Sequence, residues 1–421
     1  MLRDEWPMIA LKPQPDFDFR CPRCHAQIQA TVEEVKIGGM HSYIDCTCRH
    51  CGFPFYQMLP VGHHVEVPFT VAVDDGEIYH GHKDYKWLEE VVKQSFPLAG
   101  QEVSIEKRIF KAHNDVVILN TLDFLYGHSL LKLYNAQHHL DRNPSTGLVL
   151  IISKAFEWMI PAGCAEAWIV DLKLGELRKG YTAIAEFVSA QLQRFDRVYL
   201  SYAYSHPDFT RVDIARYTGV EPFRIENFTH TTPRITFVLR EDRWWHPHRA
   251  DYWFYRACRK SGWLKVGGKL LSMRQKQLVE STIRYVKNEL TEAEFFIVGF
   301  GTTGNFNGNT HDRRVNSLNG DIEREWCKIY SKSHVVVGFH GSNMLLPTAF
   351  AAGCVEILPE DRFGNMVQDI SVRYHDRQQL FFYRFADQYT QPSRVAGKIV
   401  AMIRDYESYH RNMCKHVYTS T

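Results

Sequence analysis

A strand–turn–helix–strand segment near the C-terminus constrains the fold of this chain more than any other feature. Residues 335–337 are consecutive valines, which suits a strand buried on both faces of a parallel sheet. Small and polar residues follow at 338–343, and a second apolar run at 354–358 ends at Pro359. This order is typical of a βαβ unit, and Pro347 is expected in the first helical turn because proline lacks an N–H. The sequence therefore predicts an α/β fold.

The turn of this unit has residues that suit a binding site. Its members are His340, Gly341, Ser342 and Asn343. A βα turn lies at the carboxyl edge of the sheet, where open α/β sheets bind ligands, and glycine lets the backbone approach a phosphate. A glycine that only closes a tight connection remains the alternative. The histidine and asparagine beside it favour a site.

Apolar strand-like runs alternate with helical patterns in two separate stretches, residues 113–230 and 231–390. A chain of 421 residues is also too long for one ordinary core. We therefore expect two Rossmann-like, doubly wound domains, preceded by an α+β bridging segment at 61–112 and followed by a helix within 391–421. The proline-punctuated residues 1–20 predict an irregular arm.

Five of the ten cysteines lie within residues 21–51 and form a metal-binding pattern. Two Cys-x-x-Cys pairs predict a zinc ribbon over residues 15–60, with a structural Zn²⁺ stabilising a module too small for its own core. The predicted ligands are Cys21, Cys24, Cys48 and Cys51. Cys46 is an extra thiol that could replace one of them. His63 and His64, which follow the ribbon, are predicted to be surface residues.

The overall composition limits which cellular compartment and which classes of binding partner we predict. A net charge of +2 gives no reason to predict a nucleic-acid or membrane-surface protein. Neither a basic-then-apolar leader nor an apolar run of membrane-spanning length is recognisable, so we expect a cytoplasmic protein without a transmembrane segment. The remaining cysteines stand mostly in apolar contexts and are expected to be reduced and buried.

A resemblance to a known family becomes specific at residues 333–359. Their sequence is SHVVVGFHGSNMLLPTAFAAGCVEILP. It resembles the signature of glycosyltransferase family 61, in which a strand ends in a histidine–glycine turn and the next strand ends in Glu-x-x-Pro. The strand at 235–239 before Arg240, and Gly127-His128 at the head of a helix, are similar to further elements of that family. The sequence departs from the pattern at Asn343, which stands in place of a second glycine, and in its zinc ribbon.

The resemblance implies a B-type glycosyltransferase, in which a cleft separates two Rossmann-like domains. The second domain would hold a nucleotide-sugar donor, and a glycan or other hydroxyl acceptor would receive the sugar, with inversion. The charge that develops on the diphosphate could be stabilised by backbone N–H groups of residues 341–343 and by Arg240. Glu356 could accept hydrogen bonds from a ribose or sugar hydroxyl. Alternatively, Arg240 could pair only with Glu241 or Asp242.

An inverting transfer needs a base that removes the acceptor proton. His128 is the predicted base because it begins a helix and because an ordinary histidine pKa is near the working pH. Asp123, just upstream, is the alternative. No metal is predicted for catalysis. A histidine at a helix start can equally be structural.

A glycine motif and an aromatic stretch leave other functions open. Gly299 to Gly304 match GxGxxG after a strand, which would suit a nicotinamide-dependent oxidoreductase, but the residues that follow are turn-forming rather than helical. We therefore predict that Gly301, Thr302 and Thr303 line the nucleotide instead. Aromatic residues at 244–255 fit a core better than a sugar-stacking surface. A non-catalytic scaffold whose ribbon binds a partner remains the third hypothesis.

Overall fold

The structure, a computed structural model, describes residues 6–207, 212–306, 310–371, 373–374 and 376–414. The chain divides into two compact units, Met1–Asp208 and Phe209–Thr421. Among the described residues, no helix combines the length and the apolar character that crossing a bilayer requires.

The first unit combines short N-terminal strands with a larger α/β sheet. Its described strands are β1 (Met8–Lys12), β2 (Asp18–Arg20), β3 (Gln27–Gln29), β4 (Val35–Ile37), β5 (Ser42–Thr47), β6 (Pro54–Met58), β7 (Thr70–Ala72), β8 (Ile78–Tyr79), β9 (Ile105–Ile109), β10 (Asp115–Asn120), β11 (Gly147–Ser153), β12 (Glu166–Val170) and β13 (Arg197–Ser201). Its described α-helices are α1 (Lys86–Ser95), α2 (Tyr126–Arg142) and α3 (Thr182–Leu192).

The largest sheet of this unit has the strand order β1-β13-β10-β11-β12-β9. The four central strands are parallel, and both edge strands run antiparallel to their neighbours. Counted along the chain, the parallel strands take the order 4-1-2-3, so the topology reverses between β10 and β13. Ligands of such sheets bind beyond the carboxyl ends of the strands at this reversal.

The N-terminal segment is an integral part of the first unit. The prediction of an irregular arm over residues 1–20 is wrong for the described residues 6–20, because β1 pairs with β13 as a sheet edge and β2 forms a hairpin with β3. Pro7 and Pro13 flank β1, since an edge strand tolerates proline at its ends. Phe19 and Phe55 of the predicted ribbon region also share one buried hydrophobic cluster with Ile118 of the large sheet.

The second unit contains a single six-stranded sheet among its described residues. Its strands are β14 (Arg234–Leu239), β15 (Glu294–Gly299), β16 (Thr310–Asp312), β17 (Val335–Phe339), β18 (Gly353–Leu358) and β19 (Tyr383–Asp387). Its helices are α4 (Ala215–Thr218), α5 (Arg249–Lys260), α6 (Leu264–Glu289), α7 (Gly320–Tyr330), α8 (Leu345–Phe350), α9 (Asp376–Phe382) and α10 (Pro392–Tyr409).

This sheet is parallel throughout, in the order β16-β15-β14-β17-β18-β19. In chain order that is 3-2-1-4-5-6, the order of a dinucleotide-binding Rossmann sheet, with its reversal between β14 and β17. The predicted βαβ unit is confirmed, because β17, α8 and β18 follow one another and Pro347 lies in the first turn of α8. The α/β class, with two Rossmann-like sheets and a cysteine-bearing module, is likewise confirmed.

Candidate functional site

The reversal point of the second sheet brings an arginine next to a glycine turn. Arg240 directly follows β14, while His340 and Gly341 directly follow β17, and these two strands are paired neighbours. A 3-10 turn, Ser342–Met344, leads from the glycine into α8. Arg240 Nη1 donates to Asn343 Oδ1 over 2.9 Å, which joins the two strand ends. The predicted residues of this turn therefore lie together at one sheet edge.

Gly341 has a backbone conformation that favours glycine, with φ of 149°. A Cβ at this position would lie 2.7 Å from Arg243 Nη1 and 3.2 Å from Arg240 Nη1. Arg243 Nη1 also donates to the carbonyl oxygen of His340 over 2.8 Å. The space beside the glycine is therefore lined by two guanidinium groups, which suit an anionic ligand.

Arg240 also forms the local ion pair that the sequence offered as an alternative. Its Nε donates to Asp242 Oδ1 over 2.6 Å, and its Nη2 pairs with the other carboxylate oxygen. Asp242 is largely exposed, with 62% of its side chain accessible. An anionic ligand would therefore compete with Asp242 for the Arg240 guanidinium, and the displaced Asp242 carboxylate can turn to solvent.

His340 lies between two carboxylates in the interior of this site. Its Nδ1 is 3.1 Å from Glu356 Oε2, and its Nε2 is 3.5 Å from Asp369 Oδ2. Burial raises the pKa of Glu356 to about 7, against the attraction of His340 and with a further rise from Asp369. Burial likewise raises the pKa of Asp369. Glu356 can therefore gain or lose a proton near neutral pH.

Glu356 lies deeper than its predicted role suggests. It is the fourth residue of β18 and is fully buried, with its carboxylate beside His340. His340 beside it is 1% exposed. The contact between Glu356 and a ribose or sugar hydroxyl stays a prediction.

The loop predicted to line the nucleotide is filled by a carboxylate. Gly301 has φ of 92°, and a Cβ there would overlap the Glu241 side chain. Thr303 N–H donates to Glu241 Oε1 over 2.8 Å, so an internal carboxylate takes this donor. Thr302 donates to Asn316 Oδ1 over 3.3 Å. Within the described residues, β16 rather than a helix follows the loop, so the GxGxxG motif lacks the structural context of a dinucleotide fingerprint.

The reversal point of the first sheet holds a second constellation of polar side chains. Asp123 follows β10 and is fully buried, with Oδ2 2.7 Å from His63 Nε2 and 2.8 Å from Lys132 Nζ. His128 Nδ1 lies 3.8 Å from Asp123 Oδ1, is buried, and has no hydrogen-bond partner among the residues that the structure describes. The rings of His63 and His128 meet edge to face, with centroids 4.6 Å apart. Asp123 and His128, the predicted acid–base residues, are therefore close together.

Burial and pairing set opposite ionisation states within this constellation. Burial alone would raise the pKa of Asp123, but Lys132 and His63 outweigh it and hold that pKa well below its usual range. Burial lowers the pKa of His128 to about 3, although Asp123 attracts its proton, and burial also lowers the pKa of His63. Asp123 is therefore ionised and both histidines are neutral at neutral pH. The expectation of an ordinary pKa for His128 is wrong because the ring is buried.

The same residues could in principle ligate a metal. Ligand atoms of His63, Asp123 and His128 lie within 4.8 Å of one another, and two histidines with a carboxylate suit zinc or non-haem iron. However, the Lys132 ammonium already neutralises Asp123 at 2.8 Å and would repel a nearby cation. The arrangement favours proton handling over metal binding.

The prediction that His63 and His64 are surface residues is wrong. The side chain of His63 is 6% exposed because it points inward to Asp123. His64 is 2% exposed, and its Nε2 lies 3.0 Å from His41 Nδ1. Gly62 fixes this turn, since its φ of 62° favours glycine and its N–H donates to Tyr202 O, just past β13.

Four cysteines cluster at the distances that a metal site requires. The Sγ atoms of Cys21 and Cys51, and those of Cys24 and Cys48, are 3.6 Å apart, and all four lie within 4.8 Å of one another. A tetrahedral zinc with Zn–S bonds of about 2.3 Å needs sulfur separations of about 3.8 Å. Cys46 lies outside the cluster, and burial raises the pKa of its thiol to about 12.

The two cysteine pairs are held by matching backbone turns. His25 N–H donates to Cys21 O over 2.9 Å, and Gly52 N–H donates to Cys48 O over 2.8 Å. Both donor residues have positive φ, 61° and 72°. Two equivalent turns thus present their thiols to one point, as a structural metal requires.

Several residues of these sites were not predicted from the sequence. Lys132 had a detectable signal, because it stands one helical turn after His128 on an otherwise apolar stretch of α2. Arg243 follows Arg240 by three residues, but only the fold turns both toward the glycine. Asp369 has no local pattern that singles it out.

Comparisons with known proteins add little to this geometry. No protein-family model matches the sequence, and no curated protein matches it. A crystal structure described as a UDP-N-acetylglucosamine 2-epimerase from Listeria monocytogenes is similar over 70% of this chain and 68% of that chain, with 9% identity and a TM-score of 0.31. A likeness at this level does not bear on the activity of this chain. The resemblance to glycosyltransferase family 61 stays a prediction.

Proposed function

We propose that the protein is a glycosyltransferase that uses a nucleotide-sugar donor, bound by the second unit. The observation that carries the proposal is the turn at Gly341, against which the guanidinium groups of Arg240 and Arg243 lie. A backbone without Cβ lets a diphosphate approach closely, and two guanidinium groups can neutralise it. Cleavage of a sugar nucleotide builds charge on that diphosphate, so preorganised donors at this point stabilise the transition state.

Neighbouring groups complete the proposed donor site. The backbone N–H groups of residues 341–343, with the side chains of Ser342 and Asn343, would bind the diphosphate oxygens. His340 would donate to the phosphate or the sugar, with Glu356 behind it setting the orientation of its ring. Residues 301–303 would border the nucleoside.

Acid–base chemistry is assigned to the buried constellation of the first unit. Asp123 orients His63 through a 2.7 Å contact, and the buried Nδ1 of His128 has no hydrogen-bond partner in the described part of the chain. Because the pKa of His128 is about 3, its imidazole is unprotonated at neutral pH, which is the form that the base of an inverting transfer must have. The acceptor would be a glycan or another hydroxyl compound.

The cysteine cluster is proposed to bind one structural Zn²⁺. Four thiolates close the coordination sphere and leave no open position for chemistry. Its ligands would be Cys21, Cys24, Cys48 and Cys51. The ion would stabilise the N-terminal part of the first unit.

A thermal-shift panel tests the proposed function. Uridine and guanosine diphosphates, their sugar conjugates and the nicotinamide dinucleotides are compared on the purified full-length protein. A ligand at one hundred times its Kd stabilises the folded state by about 2.7 kcal/mol, which is readily detected. Stabilisation by a nucleoside diphosphate or a sugar nucleotide supports the proposal. Stabilisation by nicotinamide dinucleotides alone would contradict it.

A further inference from the structure

The most exposed apolar surface of the second unit lies on the α5–α6 hairpin. Six large apolar side chains between residues 253 and 273 are 42–71% exposed. They are Trp253, Phe254, Trp263, Val266, Leu270 and Met273. This surface, which we name the hairpin face, accounts for a third of the large exposed hydrophobic residues in the described part of the chain. Single exposed apolar residues are ordinary, but a concentration of six on one helical hairpin indicates an interaction site.

The hairpin face is a regular stripe on α6. Val266, Leu270 and Met273 follow at helical spacing, so they share one side of the helix. The opposite side packs inward, where Trp244 Nε1 donates to Ser272 Oγ and Gln275 Nε2 donates to Trp245 O. Trp244 and Trp245 are therefore core residues rather than sugar-stacking ones. Since the inner side is already packed, the outer stripe is not an unfinished core.

Positive charge is concentrated around this stripe. Residues 249–276 contain eight lysines and arginines against Asp251 alone, a net charge of +7 in a chain whose total is +2. Arg274 and Lys276 pair with carboxylates. Among the side chains that the structure describes in residues 249–276, the exposed basic ones without an ion pair are Arg249, Arg256, Arg259, Lys260 and Lys269. Because the net charge of the whole chain is only +2, the overall composition does not indicate this local excess of positive charge.

We propose that the hairpin face docks on the surface of an anionic lipid bilayer. Aromatic and aliphatic side chains rimmed by lysine and arginine match an interface where acyl chains lie beneath negative headgroups. Tryptophans such as Trp253 and Trp263 are favoured at that depth.

The charge and side-chain types of the hairpin face argue against a second protein copy or a nucleic acid as its partner. A second copy of this chain, meeting the first through the same face, would bring two surfaces of net charge +7 together. A nucleic acid would match the charge and could stack on Trp253 and Trp263, but it would leave the aliphatic stripe of Val266, Leu270 and Met273 in contact with water. An anionic bilayer satisfies both the charged rim and the aliphatic stripe.

Sedimentation with lipid vesicles tests the proposal. The full-length protein is mixed with vesicles of phosphatidylcholine alone, or with roughly one third phosphatidylglycerol to supply negative charge. We expect binding to the anionic vesicles only. The double variant Arg259→Gln/Lys260→Gln should bind about 10- to 30-fold more weakly, since each basic residue near the surface contributes about 1 kcal/mol. The double variant Trp263→Ser/Val266→Ser should also lose binding.

The matched control is Leu380→Ser, which removes a 79% exposed apolar side chain of α9 and should bind as wild type. Melting curves confirm that each variant is folded. Failure of the wild type to bind anionic vesicles would overturn the proposal, as would wild-type binding by the Trp263→Ser/Val266→Ser variant. So would a dimer that dissociates in that variant, or duplex DNA that competes fully with the vesicles.

Discussion

Replacing Glu356 by glutamine should change how the stability of the second unit depends on pH. The carboxyl is fully buried, and burial raises its pKa to about 7 although His340 lies 3.1 Å away. Since the folded pKa exceeds the ordinary value of 4.5, the folded state holds the proton more tightly than the unfolded state. The resulting stabilisation is fully present below about pH 4.5 and is lost as the pH rises through about 7. The difference between the two pKa values corresponds to about 3 kcal/mol.

The variant Glu356→Gln cannot ionise, so it should not lose this stabilisation. Between about pH 5 and pH 8, its free energy of unfolding should rise relative to wild type by up to about 3 kcal/mol. Urea denaturation is monitored by hydrogen exchange in peptides from β17 and β18, which gives the stability of the second unit separately from that of the first. The control Glu292→Gln removes an exposed carboxylate and should leave the pH dependence unchanged. If the difference in free energy of unfolding between Glu356→Gln and wild type stayed constant from about pH 5 to pH 8, the reasoning would be refuted.

Two further predictions concern the first unit. Cys21→Ser should abolish the binding of about one equivalent of zinc. It should also destabilise the large sheet, because Cys21 belongs to the same hydrophobic cluster as that sheet. The control Cys46→Ser should still bind the metal. Full metal content in Cys21→Ser would disprove the ligand assignment. His128→Ala should lower turnover roughly 10²–10⁴-fold with nearly unchanged donor affinity. Because the pKa of His128 is about 3, its ionisation should leave no step in the pH–rate profile between about pH 5 and pH 8; unchanged turnover would move the role to His63 or Asp123.

The central parallel strands of both sheets could be predicted from the sequence because the apolar residues that make them buried are consecutive in the chain. The consecutive valines of β17 and the aliphatic run of β10 are buried on both faces, and such strands give continuous apolar runs. The turn at Gly341 was predictable for the same reason, since the strand, glycine and proline signals follow one another directly. β1 was missed because an edge strand flanked by prolines lacks that continuity.

The contacts of the polar residues depend on the fold instead. His63 reaches Asp123 across 60 positions of the chain, and Asp369 reaches His340 only after β18 has been placed beside β17. No local pattern distinguishes such a histidine from one in solvent. The ionisation of His128 could not be predicted either, since the pKa depends on burial and on neighbours that only the tertiary structure supplies.

Calorimetric titration of nucleoside diphosphate into wild type and Gly341→Val tests the proposed donor site most directly. The added side chain would meet Arg243 Nη1 at 2.7 Å and force a strained backbone, at a cost of about 1–3 kcal/mol to stability. The control Gly397→Val adds a side chain where a Cβ meets no atom within 4 Å. We expect uridine or guanosine diphosphate to bind wild type and the control, and to bind Gly341→Val far more weakly than its lowered melting temperature explains. Wild-type affinity in folded Gly341→Val would contradict the account, because the turn would then be only a connector.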